Sequence, residues 1–412
     1  MVENGRFCGL RSGGGMNKAL IVILLAVTLD AVGIGLMFPI LPDLLRELTA
    51  SDQISFLYGA ILAAYSAMLF LFAPVLGVLS DRFGRRPVLM LAMGGAAIDY
   101  LIMTFAPNVE LLVVGRLIAG MSAASMAVAT AYIADITEED GRARRFGFLQ
   151  ASFGIGFIIG PVLGGLLGEI WLRAPFLAAA ALNIINLVLA VFLLPESRIG
   201  SKKRFNWEEM NPFRPLRWAW NFSSIRPLLI VFAALAFISS IYGTVWVLFA
   251  QDRFGWSSGM VGLSLAAYGL FHAGAQAFLT GPATAVLGER RAMVIGLSFE
   301  VLALVVMAFA GQGWLIFVML PLFALGGIGG PALQSLLSSR AGKDLQGQLQ
   351  GVLMSLASLA SVFGPLFFAA IYGALRPEWP GAIWLVAVVI YAILLPFIQF
   401  GGSAWQRSAP LR

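Results

Sequence analysis

Apolar stretches of about 20 residues recur along the whole chain, and each is long enough to cross the hydrocarbon core of a bilayer as a helix. Of the 412 residues, 59% are hydrophobic and 12% are charged. Soluble domains are about 25% charged, so half of the usual solvating charge is missing. The chain therefore cannot fold as a series of soluble domains, and we predict an all-α membrane protein.

Twelve transmembrane helices can be placed, in two groups of six on either side of one long polar segment, residues 195–226. The predicted spans are 18–41, 55–79, 87–106, 109–133, 145–168, 173–194, 227–250, 258–284, 290–310, 313–338, 346–374 and 380–401. These spans make an N-terminal six-helix bundle over 18–194 and a C-terminal six-helix bundle over 227–401. Residues 1–17 are predicted to be a disordered extension, with both Met1 and Met16 open as the start, and residues 402–412 a cytoplasmic tail.

The placement of basic residues predicts the orientation. If the N-terminus is cytoplasmic, 22 of the 27 Lys and Arg residues lie in cytoplasmic segments and four lie in outer segments. This bias follows the positive-inside rule, so both termini and the central segment are predicted to be cytoplasmic. The net charge of +6 is then explained by orientation in a lipid bilayer, and no nucleic-acid partner is expected.

Cysteine and histidine occur once each, as Cys8 and His272. A disulfide within the chain, a zinc site of the Cys/His type and a catalytic Cys–His pair all need more of these residues. We therefore expect no metal site and no permanently bound cofactor. The oligomeric state stays open, and a monomer is compatible with the sequence.

An internal repeat supports the division into two halves. Two separate elements recur at the same offset of 204 residues: Gly77 with Gly84 and Gly147 with Pro161 reappear as Gly281 with Gly288 and Gly351 with Pro365. Two similar halves around a central cavity are typical of transporters. A membrane-embedded enzyme or receptor is the alternative from another class, and it would not need the repeat.

The segment between the second and third spans reads Gly-Val-Leu-Ser-Asp-Arg-Phe-Gly-Arg-Arg-Pro over residues 77–87. Asp81 can pair with a cation or a helix N-terminus across the two halves, and Arg85 can pair with Asp135 at the end of the fourth span. We predict that Asp81, Arg85, Arg86 and Asp135 form a cytoplasmic gate. A basic turn placed by the positive-inside rule would explain the arginines but not Asp81.

The fifth span carries a glycine at every fourth position, beside Pro161. Because residues four apart share one face of a helix, a neighbouring backbone can pack unusually close to that face. The four glycines are Gly156, Gly160, Gly164 and Gly168.

Three acidic residues lie in the middle of predicted spans: Asp30, Asp99 and Glu300. Each costs about 2.5–3.5 kcal/mol to insert at the centre of a bilayer, so none is expected to face lipid. Asp99 and Glu300 occupy nearly equivalent positions of the two halves under the offset of 204. Such carboxyl groups can exchange protons, with Arg116 as the expected counter-charge and part of the gate. A static structural ion pair is the alternative.

Polar side chains on three further spans are candidates for substrate binding. His272 and Gln276 are four residues apart and share a face, and an imidazole titrates in a range that suits proton coupling. A satisfied core histidine is the alternative for His272. Asn183 and Gln334 are candidate cavity groups, although Asn183 fits a hydrogen bond between helices equally well.

Taken together, these segments resemble the bacterial tetracycline/proton antiporters of the major facilitator superfamily. The segment 77–87 is similar to the signature loop of the superfamily, and Gly-Pro-Val-Leu-Gly-Gly over 160–165 is similar to the motif of its antiporters. The remaining matching segments are 29–36, 95–100, 132–137, 245–256, 272–276 and 331–334.

The resemblance implies the major facilitator fold and export of tetracycline, chelated to a divalent cation such as Mg²⁺, in exchange for protons across the bacterial inner membrane. It also implies roles in transport for a set of polar residues: Asp30, Asp81, Arg85, Asp99, Arg116, Asp135, His272, Gln276 and the acidic residue at position 300.

The sequence departs from the family pattern at several places. Glu300 stands where an aspartate is expected, residues 121–126 replace a Gly/Thr-rich run, and Leu69 and Ser239-Ser240 lie near expected glutamines. An antiporter for another amphipathic drug or metabolite is therefore the alternative function. A facilitator without proton coupling is disfavoured by the buried acidic residues.

Overall fold

The computed structural model describes residues 18–123, 125–197, 210–220, 225–341 and 345–400. Within these ranges the chain is helical and contains no β strand. The predicted extension over 1–17, the tail over 402–412 and part of the central segment lie outside the described residues.

Eight described helices precede the central segment. They are α1 (Lys18–Met37), α2 (Leu41–Thr49), α3 (Ser55–Phe83), α4 (Arg85–Phe105), α5 (Val109–Ser122), α6 (Ser125–Asp135), α7 (Glu139–Ile170) and α8 (Ala174–Leu193).

Nine described helices lie in the central segment and beyond it. They are α9 (Arg214–Trp220), α10 (Arg226–Phe254), α11 (Ser258–Phe278), α12 (Thr280–Leu287), α13 (Glu289–Phe309), α14 (Trp314–Gly326), α15 (Gly329–Ala341), α16 (Gln346–Leu375) and α17 (Ala382–Phe400).

Ten helical stretches in the described chain are long and apolar enough to cross a membrane. Two predicted spans are not among them. The span 258–284 is divided into α11 and α12, and the glycines and polar residues of α11 dilute its apolar character. In α17 the stretch whose residues are fully described is shorter than a span, Ala382–Leu394. The number twelve therefore stays a prediction.

Two predicted spans are single stretches in the sequence but broken helices in the structure. The first break falls at Ala123, between α5 and α6, and the second at Gly327 and Ile328, between α14 and α15. Ala123 and Gly327 are separated by 204 residues, which is the offset of the sequence repeat. The repeat thus extends to interrupted helices, which in transporters commonly line binding sites.

The turns between helices repeat in the same way. Gly84, between α3 and α4, has φ of +104°, and Gly288, between α12 and α13, has φ of +77°. A residue with a Cβ rarely adopts these angles, so glycine is needed at both turns. These two glycines are also 204 residues apart, so the repeat is visible in the backbone.

The two groups of helices meet along two seams, α3 against α16 and α7 against α11. We name the end of the bundle where α3 meets α4 the arginine-rich end, and the end where α1 meets α2 the far end. One continuous apolar core joins the second group to the far end of the first, through residues such as Leu44 and Tyr58. The arginine-rich end of the first group has a separate core, which includes Leu89 and Tyr132.

Candidate functional site

A cavity of about 490 Å³ lies between the two groups of helices. The first group supplies most of its wall from α1, α3, α4, α5, α6 and α7, and the second group contributes α10 and α16. Three ionisable residues of the sequence prediction line it: Asp30, Asp99 and Arg116. The structure thus brings together side chains that are far apart in the sequence.

Asp99 and Arg116 form a buried ion pair in this wall. The side chains are in contact through two pairs of atoms, and Arg116 Nε donates to Asp99 Oδ1 at 3.0 Å. Asp99 is 0% exposed and Arg116 is 4% exposed. The guanidinium carbon also lies 5.7 Å from the ring centroids of Tyr65 and Tyr100. Each charge is therefore compensated where water cannot do so.

Asp30, on α1, lies next to the start of α6, directly after the first helix break. Ser125, the first residue of α6, donates from its hydroxyl to Asp30 Oδ2 at 2.5 Å. Asp30 is partly exposed, and within the described residues no basic side chain forms an ion pair with it. Asp30 is thus held by a neutral donor, unlike Asp99.

Glu300 lies in the second group, on α13. The Tyr242 hydroxyl donates to Glu300 Oε1 at 2.8 Å, and Tyr391 is a second tyrosine close to the carboxyl group. Among the described side chains, none of the Lys, Arg or His residues is ion-paired with Glu300. The tyrosines around Glu300 were not predicted, because Tyr242, Tyr268 and Tyr391 lie on three different helices and look like ordinary core aromatics in the sequence.

His272 is hydrogen-bonded to Gln276, with 2.9 Å between their Nε2 atoms. The imidazole stacks on Tyr268 with 5.4 Å between the ring centroids, and it lies against Gly327 at the second helix break. His272 Nδ1 has no partner within the described chain. Neither His272 nor Gln276 is among the residues that line the cavity.

Two predicted substrate-binding residues lie away from the cavity wall. Asn183 is buried in α8 and donates to the Ala179 carbonyl at 2.9 Å, because α8 packs against α1 and α4. Gln334 is exposed and donates to Gln350 at 3.4 Å. Polar groups that do line the cavity include Ser66, Gln150 and Thr244.

Four predicted gate residues, Asp81, Arg85, Arg86 and Asp135, lie at the arginine-rich end, whereas Arg116 lies in the cavity wall with Asp99. Arg85 contacts Asp81 at 2.7 Å and Asp135 at 3.2 Å. Glu196, which the sequence did not single out, accepts from the backbone N–H groups of Arg85 at 2.8 Å and of Arg86 at 3.2 Å. These contacts lie within the first group of helices and the residues that directly follow α8, so they do not join the two halves in this structure.

A second polar cluster, which we name the far-end bridges, joins the two halves instead. Arg46 of α2 donates to Gln251 of α10 at 2.7 Å, and Ser258 of α11 donates to Asp43 at 2.7 Å. Glu169 of α7 accepts from Ser257 at 2.7 Å. A signal for this cluster was present in the sequence, because Arg46 is one of the few basic residues outside the predicted cytoplasmic segments.

The glycine face of α7 packs directly on α1. A Cβ at Gly160 would lie 2.8 Å from the Gly35 Cα, and one at Gly156 would lie 2.8 Å from the Ala31 Cβ. Gly164 and Gly168 meet Leu36 and Ile40, and Pro161 contacts Gly35. The two helices are therefore in backbone contact along this face.

In the part of the chain that the structure describes, no group of three or more His, Cys, Asp or Glu side chains is placed to hold a metal ion. The ionisable groups of the site are instead separated into the Asp30 and Asp99 sites of the first group and the Glu300 site of the second.

Comparisons with known proteins agree with this architecture. The profile of the Major Facilitator Superfamily matches residues 23–259 and 228–401. The class C tetracycline resistance protein of Escherichia coli is 50% identical over 95% of this chain and 98% of its own length. The class G protein of Vibrio anguillarum is 45% identical over 93% and 98%. The chain belongs to the Major Facilitator Superfamily, among its tetracycline resistance proteins.

Solved structures of superfamily transporters show the same fold. A bacterial homologue of the human lysosomal transporter Spinster gives a TM-score of 0.78 at 14% identity, covering 97% of this chain and 100% of that one. The human organic anion transporter MFSD10 gives 0.68 at 24% identity, covering 92% and 99%. This superfamily member is therefore a transporter of small-molecule drugs rather than an enzyme, and a multi-pass protein of the bacterial inner membrane.

Proposed function

We propose that this protein exports tetracycline from the cytoplasm, as a chelate with a divalent cation such as Mg²⁺, in exchange for protons and by alternating access. The observation that carries the proposal is the cavity of about 490 Å³ with Asp30, Asp99 and Arg116 in its wall. The names of the relatives, tetracycline resistance proteins of several classes, support the choice of drug.

The size and charge of the cavity suit this substrate. Pockets for drug-sized molecules have volumes of about 300–1,000 Å³, and this cavity falls within that range. With all three ionisable side chains charged, two carboxylates and one guanidinium leave a net charge of −1. A cationic chelate is attracted to such a wall, and the aromatic rings of Tyr65, Tyr100 and Phe153 offer apolar surface to the fused rings of the drug.

Exchange follows if the proton and the chelate exclude one another. Both are cations that seek carboxylates, so binding of one at Asp30 opposes binding of the other. Glu300 and His272 contribute further proton sites in the C-terminal bundle, and Gln276 is hydrogen-bonded to His272. Asp99 acts as a fixed charge, because Arg116 already neutralises it, and the pair orients the chelate.

The distribution of polar contacts supports an arrangement that is closed at the far end. With both termini and the central segment in the cytoplasm, the arginine-rich end faces the cytoplasm, and the far-end bridges close the outer side. Opening to the outside then requires these bridges to break, while Asp81, Arg85, Arg86 and Asp135 belong to the cytoplasmic gate that closes in that state. The two halves, 18–194 and 227–401, move relative to each other about the seams α3–α16 and α7–α11.

An antiporter for another amphipathic drug or metabolite is the second candidate, and one observation favours it. The residues that depart from the family pattern include Leu69, Ser122, Ser125, Met126 and Ser240, and all five line the cavity. A changed wall changes which drug is bound, while the ionisable groups that couple transport to protons are kept.

The test is uptake of tetracycline into inverted membrane vesicles, with Mg²⁺ in the medium, and with and without an imposed proton gradient. We expect accumulation that depends on the gradient and collapses with an uncoupler, and vesicles without the protein are the control. Uptake that ignores the gradient contradicts proton coupling. If vesicles with this protein accumulate no tetracycline while vesicles with a control exporter do, the choice of tetracycline is contradicted and the second candidate is favoured.

A further inference from the structure

The Glu300 carboxyl group is held in place by aromatic side chains that come from other helices. The Tyr242 hydroxyl of α10 donates to Oε1 at 2.8 Å. The Tyr242 ring is itself fixed, because it stacks on Trp384 with 6.1 Å between centroids and meets Phe323 edge-on at 5.9 Å. Tyr391 of α17 is a second tyrosine close to the carboxyl group. The Tyr242 hydroxyl is therefore held in a fixed position, and the Glu300 side chain must be long enough to bring its carboxylate to that position.

The base of the Glu300 side chain cannot move to compensate for a change in length. A Cβ added at Gly326 would lie 2.7 Å from the Glu300 Cβ and 3.2 Å from its Cα. The backbones of α13 and α14 are thus in close contact at this point. An aspartate at position 300 would end about 1.5 Å short, one carbon–carbon bond, and would lose the hydrogen bond to Tyr242.

The surroundings contain hydroxyl donors and one imidazole rather than a fixed cation. The titratable side chains near Glu300 are Tyr242 from α10, Tyr391 from α17 and Tyr268 from α11, and His272 stacks on Tyr268. The charged residue of α15, Arg340, lies in its last turn, and α12 and α14 carry no titratable residue. Glu289, Arg290 and Arg291 lie in the first turn of α13, about 15 Å away along the helix axis.

We propose that Tyr242, with Tyr391, is a positioning residue that fixes the Glu300 carboxylate for proton exchange, so that the coupling site is built for the length of glutamate. This inference rests on the proposed proton-coupled transport. A neutral donor orients the carboxylate but leaves it free to bind a proton from the outer side and release it to water on the cytoplasmic side. A cation, as at Asp99, would hold the group charged.

The first test is Tyr242→Phe, which removes one hydroxyl and keeps the ring. A hydrogen bond to a charged group contributes about 1.5–3 kcal/mol, which corresponds to at least about a tenfold change in an equilibrium constant. We therefore expect gradient-driven uptake to fall about tenfold, while exchange of labelled for unlabelled drug is retained. Glu300→Asp should likewise lower gradient-driven uptake and retain the exchange of labelled for unlabelled drug. The double variant should fall no further than either single one, because both remove the same contact. Additive losses, or equal loss of uptake and exchange, overturn the proposal.

The matched control is Tyr132→Phe, which removes a buried hydroxyl that donates to the Pro195 carbonyl at 2.7 Å, far from any acidic residue of the cavity. This variant should leave the ratio of driven uptake to exchange unchanged. A change as large as that of Tyr242→Phe would mean that loss of any buried hydroxyl disturbs coupling, and it would overturn the assignment.

A second measurement does not depend on the drug. In pH-dependent infrared difference spectra of the purified protein, the carboxyl band of Glu300 is identified by its loss in Glu300→Gln. Tyr242→Phe should displace the titration of this band by about one pH unit. An unmoved band overturns the positioning role, whatever the substrate. If the band moves in Tyr242→Phe but the wild-type protein does not accumulate tetracycline, only the proposed substrate is contradicted.

Discussion

Asp99 and Glu300 occupy nearly equivalent positions in the two halves, but their neighbours differ. Asp99 is enclosed with Arg116, and the pair is almost fully buried. Glu300 is held by the Tyr242 hydroxyl and remains partly exposed. The first arrangement keeps a charge permanently balanced, whereas the second leaves a carboxyl group able to change its charge. The two halves thus repeat each other in fold but not in chemistry.

The largest effect is expected from breaking the compensated pair. Arg116→Ala leaves the Asp99 carboxylate buried without a partner, which should destabilise the protein by about 3–5 kcal/mol. Thermal unfolding in detergent measures this loss. Asp99→Asn in the same chain should restore part of the stability.

The exposed pair of Arg142 and Glu139, 3.9 Å apart, provides the control for that experiment. Arg142→Ala should change stability by less than about 1 kcal/mol, as is usual for surface pairs. If Arg116→Ala were no more harmful than Arg142→Ala, Asp99 and Arg116 would not be a compensated buried pair.

A smaller effect on stability and a specific effect on coupling are expected at Glu300. Glu300→Gln keeps an acceptor for the Tyr242 hydroxyl, so stability should change by less than about 1 kcal/mol. Gradient-driven uptake should be lost, because an amide cannot carry the proton, while exchange of labelled drug continues. Glu110→Gln, at an exposed position in the first turn of α5, is the matched control. Full driven uptake in Glu300→Gln would remove Glu300 from the coupling mechanism.

The smallest effect is expected from Ser125→Ala, which removes the hydroxyl group that donates a hydrogen bond to Asp30. One hydrogen bond of 2.5 Å disappears, and driven uptake should fall by about two- to tenfold. Ser239→Ala removes only a bond to Leu235 in its own helix and should have no effect on uptake. Equal results for the two variants would mean that Ser125 does not act through Asp30.

The sequence predicts the fold well where the signal is local or repeated. Apolar runs give the membrane helices, and the offset of 204 residues anticipates the matching turns at Gly84 and Gly288. The contact of Arg85 with Asp135 also follows from the sequence, because opposite charges at the ends of neighbouring helices attract. What the sequence does not give is the break at Ala123, where no proline marks the interruption.

The site was harder to predict, because its parts meet only through tertiary packing. Asp43 and Ser258 are separated by 215 positions and join at the far end, and no local pattern pairs them. Asn183 is polar in an apolar helix, which suits a cavity ligand, but its amide nitrogen donates to the Ala179 carbonyl within the same helix, and the residue does not line the cavity. Sequence patterns therefore identify polar residues without telling which face of the bundle each one meets.

The backbone contact between α1 and α7 limits how this protein can evolve. At Gly160 and Gly35 the neighbouring atoms belong to the main chain or to Pro161, which cannot rotate away as a flexible side chain can. A larger residue at either position needs a simultaneous change in the partner helix, so a single substitution there should disturb the packing of α7 on α1. Altered drug preference must then arise in the cavity wall, where Leu69 and Ser240 border open space and can change one at a time.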